Sequence, residues 1–364
     1  MSRFTQRRAK LHRKLKQAGA DALLVTNFKN VTYLTGFTGD DSYLIEASSQ
    51  SLLISDPRYE TQLAEECPGL EVHLRGPGEG MSAAVATTIG LLKPQHLAIE
   101  AGSMTVALYE TIAKTTKSVS LVSTTGLVET LREIKDQDEI KSIRQAIDFA
   151  ERAFAVVRES LVADQTEKQV ADEIEYQMRR FGARGASFEP IVAVGSNAAL
   201  PHAHPTGRRI GDSPLLLIDW GASGPLYKSD LTRTLATDKI STKLERVYRV
   251  VLTAQAAAIA AIRPGASAHE VDTVARNVIA KAGFGRHFGH SLGHGIGLDI
   301  HEGPRLAQNQ HRPLKAGMVI TVEPGIYLPG WGGVRIEDDV LVTRTGHQVL
   351  SHVGKDLDKM LVRR

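Results

Sequence analysis

The sequence of 364 residues predicts a two-domain protein, with an α/β domain at the N-terminus followed by an α+β domain that contains an internal pseudo-two-fold repeat. Three observations support this fold class. Strand-like segments alternate with helical patterns over the first third of the chain. Beyond them, a pair of helices, a glycine-rich segment and a hairpin occur twice in the same order. Each of the two hairpins carries two acidic residues at matching places.

The composition is that of an ordinary soluble globular protein. Charged residues make up 23% of the chain and hydrophobic residues 42%, which argues against a disordered or a membrane protein. No apolar run reaches the roughly 18 to 20 residues that cross a bilayer. The net charge of +3 is too small to indicate a nucleic-acid partner. Cys67 is the only cysteine, so no intrachain disulfide is possible and a reducing, cytoplasmic location is expected.

Residues 1–126 predict an α/β domain without the concentration of His, Asp and Glu that a reaction centre needs. We expect this domain to wall off a cleft or to form a subunit interface. Its basic segment near the N-terminus has Leu11 and Leu15 at helical spacing, which favours a helix with a solvated basic face over a nucleic-acid arm. Further helical patterns cover 57–66, 81–92 and 104–115, and the strand candidates are ADALLVT, SYLIEA, SLLIS, LEVHLR, HLAIEA and SVSLVS.

The chain becomes strongly charged after residue 126, and we place the second domain at 127–364. There the helical patterns come in two pairs, and the second helix of each pair opens with a capping-box pattern. These patterns begin at Thr166 and at Ser267, which are 101 positions apart. The matching order and spacing indicate a supersecondary repeat. Its helices are expected at about 138–161, 166–182, 242–263 and 267–283.

The first hairpin, LLLIDWGASGPLYKSDLTRTL, carries Asp219 and Asp230 on two apolar strands. With the turn centred near Gly224 and Pro225, the two aspartates are expected to face each other. Directly opposed like charges destabilise a sheet, so a cation is expected between them. For this pair alone, a register shift that turns one aspartate to solvent is an open alternative.

The second hairpin, MVITVEPGIYLPGWGGVRIEDDVLVT, repeats this arrangement. Its turn is centred near Gly330, which places Glu323 opposite Glu337, and Glu323 follows Asp219 by 104 positions. Two acidic pairs at equivalent places of a repeat are hard to explain as solvated faces. Without cations the clustered carboxylates would have to take up protons, because like charges raise one another's pKa. Two divalent ions would neutralise them, so we interpret the site as dinuclear.

A segment rich in glycine and histidine, RHFGHSLGHGIGLDIHEGPR, lies between the second helix pair and the second hairpin. Glycine allows close backbone approach, which suits a loop that lines a pocket. The GHGIG stretch lacks the GxGxxG pattern of dinucleotide-binding folds, so that function is rejected. Next to an acidic cluster, the histidines of this segment are candidates for a nitrogen ligand, namely His287, His290, His294 and His301.

These motifs make the chain similar to the pita-bread metallopeptidase family M24, and within it to the Xaa-Pro peptidases, aminopeptidase P and prolidase. The matching segments are ALPHAHP, LIDWGA with SDLTRT, HSLGHGIGLDIHE, VEPGIY and VRIED, in the family's order and spacing. NVTYLTGFTG and SDPRY resemble the creatinase-like N-terminal domain of the same family. The resemblance covers nearly the whole chain and implies a creatinase-like domain followed by a pita-bread domain.

The resemblance also implies roles for individual residues. Glu323 is expected to act as general base in addition to binding metal, and Arg335 to orient a ligand carboxylate, whereas His204 is given no role. For Thr232, two residues after Asp230, an ordinary strand residue and a ligand-orienting residue are both open. The histidines expected at the substrate are His202, His290 and His301. The expected metal ligands are Asp219, Asp230, His294, Glu323 and Glu337.

The function that the resemblance implies is hydrolysis of peptides or dipeptides with proline after the scissile bond, by a hydroxide that bridges two divalent metal ions. Manganese is the expected metal, with cobalt, zinc and iron as alternatives that the ligand types do not separate. The family also implies a homodimer, and the choice between aminopeptidase and dipeptidase is open. A methionine aminopeptidase-like enzyme, a creatinase-like amidinohydrolase and a non-catalytic binding protein are the alternatives. The large N-terminal domain argues against the first, and the complete ligand set against the other two.

Overall fold

The computed structural model describes residues 2–362, and the chain divides into two compact units. The first unit ends at Arg132 and the second begins at Glu133, so the first extends a short way past residue 126. Among the described residues, no helix is long and apolar enough to span a membrane.

The first unit contains one mixed six-stranded sheet, and every strand expected from the sequence is present in it. Its strands are β1 (Ala22–Val25), β2 (Tyr43–Ala47), β3 (Ser51–Ser55), β4 (Glu71–Leu74), β5 (His96–Glu100) and β6 (Ser120–Thr124). The strand order is β4-β3-β2-β1-β5-β6, with β1, β2 and β3 antiparallel and the outer pairs parallel. Alternate apolar residues such as Leu24 and Ile45 pack against helical residues such as Val85 and Ile112 to form the core.

Two helices of the first unit were not expected from the sequence, the four-residue Glu129–Arg132 and the longer Phe28–Thr35. The segment Phe28–Thr35 contains β-branched residues that favour strands. Local capping overrides this preference, because the Asn27 side chain accepts a hydrogen bond from the Lys29 amide and Gly36 ends the helix at a φ of 91°. The helices of this unit are α1 (Arg3–Gln17), α2 (Phe28–Thr35), α3 (Glu60–Glu66), α4 (Met81–Leu92), α5 (Val106–Thr115) and α6 (Glu129–Arg132).

The second unit contains the two helix pairs of the repeat. The helices are α7 (Gln137–Glu159), α8 (Glu167–Arg180), α9 (Thr242–Ala261) and α10 (Ala268–Lys281). Both expected capping boxes form, at Thr166 with Gln169 and at Ser267 with Glu270. Helix α7 packs on α8 and α9 packs on α10, so the repeat predicted from spacing is present as paired helices.

The strands of the second unit are β7 (Gly185–Ala186), β8 (Ile191–Val194), β9 (Leu215–Trp220), β10 (Ala222–Ser223), β11 (Leu231–Ala236), β12 (Gly293–Gly295), β13 (Glu302–Leu306), β14 (Val319–Val322), β15 (Gly325–Leu328), β16 (Gly332–Arg335), β17 (Asp338–Val342) and β18 (His347–Val349). They form two main sheets, in the orders β11-β9-β8 and β13-β12-β14-β17-β18, with smaller pairs β10-β7 and β15-β16. The side chain of Trp220, at the end of β9, is fully buried and stacks on Phe154 of α7 with ring centroids 4.3 Å apart.

The register of the first hairpin differs from the expected one. Strands β9 and β11 pair Asp219 with Thr232, so the expectation that Asp219 faces Asp230 directly is wrong. The bridge between Ser223 and Lys228 brackets the turn and centres it one position later than expected. Moving the centre by one position moves the pairing by two residues, and side chains two apart share a face. Asp230 is therefore a diagonal neighbour of Asp219 on the same face of the hairpin.

The register of the second hairpin is the expected one. Strands β14 and β17 pair Val322 with Asp338, one step before Glu323 and Glu337, and β15 and β16 continue the same register. Gly330 lies at the centre of the turn with a φ of 77°. The pairing on both sides places Glu323 opposite Glu337.

Candidate metal centre

The two hairpins meet edge to edge at the acidic residues. Thr232 of β11 forms an antiparallel bridge with Glu337, and the Glu337 amide donates to the Thr232 carbonyl oxygen at 3.1 Å. This bridge joins segments about a hundred positions apart in sequence. It brings the aspartate pair of the first hairpin beside the glutamate pair of the second.

The carboxylates and one imidazole form a compact cluster. Asp230, His294 and Glu337 each place a ligand atom within 4.8 Å of the others. Nε2 of His294 lies 3.6 Å from Oδ2 of Asp230 and 3.3 Å from Oε1 of Glu323. Oδ1 of Asp219 is buried and has no hydrogen-bond partner within residues 2–362. Such an orphaned, inward carboxylate oxygen fits a cation ligand.

Burial and mutual repulsion raise the pKa values of the clustered carboxyl groups. Burial raises the pKa of Asp230 and of Glu337 well above the usual range, and the neighbouring carboxylates raise both further. Burial raises the pKa of Glu323 to about 8. It also raises the pKa of Asp219, although the Arg335 guanidinium opposes this shift. Such a cluster must bind either protons or cations near neutral pH.

The imidazole of His294 has the protonation state of a ligand. Burial lowers its pKa to about 3, so the ring is neutral. Nδ1 lies 3.1 Å from the Gly295 carbonyl oxygen, which can only accept, so this nitrogen carries the proton. The lone pair of Nε2 therefore faces the carboxylates. Four carboxylates and one neutral imidazole fit a divalent metal of the Mn, Fe, Co or Zn type.

Arg335 is nearly fully buried beside the cluster, at 3% exposure. One terminal nitrogen donates to Oδ2 of Asp219 at 2.5 Å, and Nε donates to Oγ1 of Thr232 at 3.0 Å. The Thr232 hydroxyl in turn donates to Oε2 of Glu337 at 2.6 Å. Arg335 and Thr232 thus link a carboxylate of each hairpin, and Thr232 is not an ordinary strand residue.

Tyr327 is a residue of this site that the sequence reasoning missed. Its hydroxyl lies 2.8 Å from a terminal nitrogen of Arg335 and 2.9 Å from Nε2 of His290. Burial raises the pKa of Tyr327 to about 12, so the phenol keeps its proton. The signal was available in the VEPGIY motif, because Glu323 and Tyr327 are four positions apart in an extended segment and share a face.

His290 is neutral and already hydrogen-bonded. Burial lowers its pKa to about 4. Nδ1 donates to the Ser291 carbonyl oxygen at 2.8 Å, so Nε2 accepts from the Tyr327 hydroxyl. The tautomer follows from the carbonyl, which cannot donate.

The remaining histidines differ in how near they lie to the acidic cluster. The His301 ring packs edge-on against His294, with centroids 4.2 Å apart, and its burial lowers its pKa. His202 lines the same cavity as Asp219. The side chain of His204 is 83% exposed, lies 3.0 Å from Glu189 and, like Glu189, belongs to the wall of the cavity in this unit. His287 is half-buried, and its Nε2 accepts a hydrogen bond from Nε of Arg286 at 3.1 Å.

All of the predicted site residues line one cavity of about 690 Å³ in the second unit. Its wall also includes apolar residues, among them Phe188, Ile191 and Pro201, and the basic residue Arg305. The predicted site residues in this wall are His202, Asp219, Asp230, His290, His294, His301, Glu323, Arg335 and Glu337. The cavity combines an acidic metal-binding region with an apolar wall, which suits a small organic substrate.

Comparison with known proteins agrees with this geometry. The sequence model of metallopeptidase family M24 matches residues 141–344, and that of the creatinase/prolidase N-terminal domain matches residues 7–134. An Xaa-Pro dipeptidase of Pyrococcus horikoshii is 35% identical over 337 residues, which cover 93% of this chain and 94% of that protein.

Two solved structures extend the comparison to three dimensions. An Xaa-Pro dipeptidase from Bacillus anthracis has a TM-score of 0.94 at 36% identity, covering 99% of this chain and 100% of that chain. An X-Pro aminopeptidase from Thermotoga maritima has a TM-score of 0.88 at 34% identity, covering 97% of this chain and 100% of that chain. With its creatinase-like N-terminal domain and pita-bread domain, this chain belongs to metallopeptidase family M24.

Proposed function

We propose that this metallopeptidase hydrolyses peptide bonds in which proline follows the scissile bond, with two divalent ions at the acidic cluster. The observation that carries the proposal is the buried set of carboxylates with one neutral imidazole at the wall of a substrate-sized cavity. The Xaa-Pro activity named for the relatives supports the choice of bond. The ligands we assign are Asp219, Asp230, His294, Glu323 and Glu337.

The protein groups around the scissile bond have distinct tasks in this proposal. The ligand residues would hold two divalent ions, which would supply an activated water and polarise the scissile carbonyl. Glu323, whose Oε1 lies 3.3 Å from Nε2 of His294, takes the proton of the attacking water as general base. Arg335 holds the carboxylate of Asp219 in place. His202, His290 and His301 face the substrate from the cavity wall.

We further propose manganese as the working metal, with cobalt, zinc and iron as the alternatives. The donor set is mostly hard oxygen, which supports manganese, but ligand type alone does not separate these ions. A homodimer in a reducing cytoplasm is part of the same proposal, the second point resting on the single cysteine. Elemental analysis of the purified protein tests the metal, and light scattering tests the dimer.

Substrate assays on reloaded enzyme test the activity. The protein is stripped with a chelator, reloaded with manganese, cobalt, zinc or iron, and assayed on Xaa-Pro dipeptides and Xaa-Pro-Xaa tripeptides. Hydrolysis of dipeptides alone indicates a dipeptidase, and release of the first residue from tripeptides indicates an aminopeptidase. Xaa-Ala and Met-Ala peptides are the matched controls. Failure of every reloaded form to cleave any proline peptide would contradict the proposal.

A further inference from the structure

The loop that carries His202 forms one wall of the cavity. It runs from the end of β8 at Val194 to Thr206, and its tip contributes Pro201, His202 and Ala203 to the cavity lining. A loop of this length needs external contacts to hold one histidine in place, because an unsupported loop samples many conformations.

A single buried carboxylate holds both ends of this loop. Glu167 is the first residue of α8 and is 0% exposed. Its Oε1 accepts from the Val194 amide at 2.7 Å and from Nδ2 of Asn197 at 2.9 Å. Its Oε2 accepts from the Thr206 amide at 2.9 Å and from the Thr206 hydroxyl at 2.5 Å. The entry and the exit of the loop are therefore bonded to the same side chain.

The middle of the loop rests on the second hairpin. A Cβ at Gly333 would lie 2.0 Å from the Ala198 carbonyl oxygen, so the loop backbone packs directly on β16. A terminal nitrogen of Arg335 lies 3.4 Å from the Pro201 carbonyl oxygen. With its middle packed on β16 and its ends bonded to Glu167, the loop presents His202 from a fixed backbone.

Burial of the Glu167 carboxylate carries a desolvation cost, which its hydrogen bonds must offset. Burying an ionised group is unfavourable unless it is fully hydrogen-bonded. The helix N-terminus and the donors from Val194, Asn197 and Thr206 satisfy Glu167. Within residues 2–362, Glu167 is not part of the cavity wall, and its carboxylate accepts from Val194, Asn197 and Thr206 of the loop. The hydrogen bonds of the Glu167 carboxylate therefore serve to hold the loop.

We propose that Glu167 is a positioning residue for His202, acting through the loop backbone and not through contact with substrate or metal. The proposal rests on the peptidase function for its kinetic consequence. The anchoring of the loop stands independently of that function.

Glu167→Gln tests the proposal. The glutamine keeps the size of the side chain, but its amide nitrogen cannot accept, so one group of loop donors loses its partner. We expect kcat/KM for an Xaa-Pro dipeptide to fall about 10-fold or more, with the same division between KM and kcat as in His202→Ala. Metal content should stay at the wild-type value. In the His202→Ala background, Glu167→Gln should have little further effect. Equal effects in both backgrounds would show that Glu167 does not act through His202.

Glu139→Gln is the matched control. Glu139 on α7 is also buried and accepts from the Tyr227 hydroxyl at 2.8 Å, away from the His202 loop. Its variant should show no coupling to His202→Ala. If Glu167→Gln fails to fold, Thr206→Val removes one donor to the same carboxylate and should give a smaller effect with the same coupling. If Thr206→Val then left kcat/KM unchanged, the proposal would be overturned.

Hydrogen exchange separates this proposal from the proposed function. In the metal-loaded protein, exchange of the segment 195–206 should be faster in Glu167→Gln and unchanged in Glu139→Gln. This measurement needs no substrate, so it remains valid even if no proline peptide is cleaved. Unchanged exchange in Glu167→Gln would show that the carboxylate does not hold the loop.

Discussion

The hydroxyl of Thr232 donates a 2.6 Å hydrogen bond to Oε2 of Glu337 and accepts one of 3.0 Å from Nε of Arg335. This contact connects the two acidic hairpins at their bridge. A ligand carboxylate that is bonded in this way has one oxygen free for metal and a fixed orientation. The hydroxyl of Thr232 is therefore expected to orient Glu337, a role that its β-branched shape alone could not provide.

Replacing Thr232 with valine should weaken metal binding. Valine has the same shape but no hydroxyl, so Glu337 loses its donor and Nε of Arg335 its acceptor. We expect metal affinity to fall about 10-fold or more, measured by competition with a chelating dye. Thr232→Ser keeps the hydroxyl and should retain most of the affinity. Equal affinities of the two variants would refute a role for this hydrogen bond.

Replacing Arg335 with methionine should destabilise the folded protein. The change leaves the Asp219 carboxylate buried without its cationic partner and removes one of the two hydrogen bonds of the Tyr327 hydroxyl. We expect the free energy of unfolding to fall by about 3 to 5 kcal/mol in urea denaturation of the metal-free protein. The control is Arg249→Met, which removes an exposed pair with Glu245 on α9 and should cost less than about 0.5 kcal/mol. If both variants lost a similar amount of unfolding free energy, burial of Arg335 would not explain its contribution to stability.

Asp230→Asn should separate metal binding from folding. Burial and three neighbouring carboxylates of the cluster raise the pKa of Asp230, so the metal-free wild type has to protonate this carboxyl, whereas asparagine is neutral without taking up a proton. We expect the metal-free variant to be at least as stable as the wild type in thermal denaturation. Added metal should stabilise the wild type and leave the variant unchanged, and peptidase activity should be lost. If metal stabilised the variant, or if the variant kept full peptidase activity, the dinuclear interpretation would be contradicted.

Metal affinity should rise with pH toward about 8. The pKa of Glu323 is raised by burial from its ordinary value of 4.5 to about 8 in the metal-free protein. The folded state therefore holds a proton there that the unfolded state has lost, and this contribution to stability disappears as pH rises through about 8. Metal must displace the same proton, so binding should release protons and tighten over this range.

Calorimetry in buffers of different ionisation enthalpy measures this proton release directly. Melting temperatures recorded with and without metal across the same pH range provide the second measurement. The stability of the metal-free protein should fall as pH rises, whereas the stabilisation by metal should grow. Metal binding without proton release at neutral pH would mean that the carboxyl groups are already ionised.

The helical repeat and the residues that gather at the cavity were predictable from local sequence patterns. Helix boundaries and capping boxes, such as those at Thr166 and Ser267, depend on interactions within a few residues, so local pattern reveals them. The register of the second hairpin was predicted because Gly330 marks its turn clearly. In the first hairpin, the turn residues Gly224 and Pro225 allow two centres one position apart, and only the backbone pairing selected one.

The side chains that hold the site in place could not be predicted from sequence patterns and are seen only in the packed fold. The bridge from Thr232 to Glu337, the contact of Tyr327 with His290 and the bonds of Glu167 to the His202 loop all join segments distant in sequence. Such contacts depend on how whole strands and loops pack, and no periodic pattern encodes them. Residues that bind metal have a chemical signature in the sequence, whereas residues that position them acquire their role from where the fold puts them.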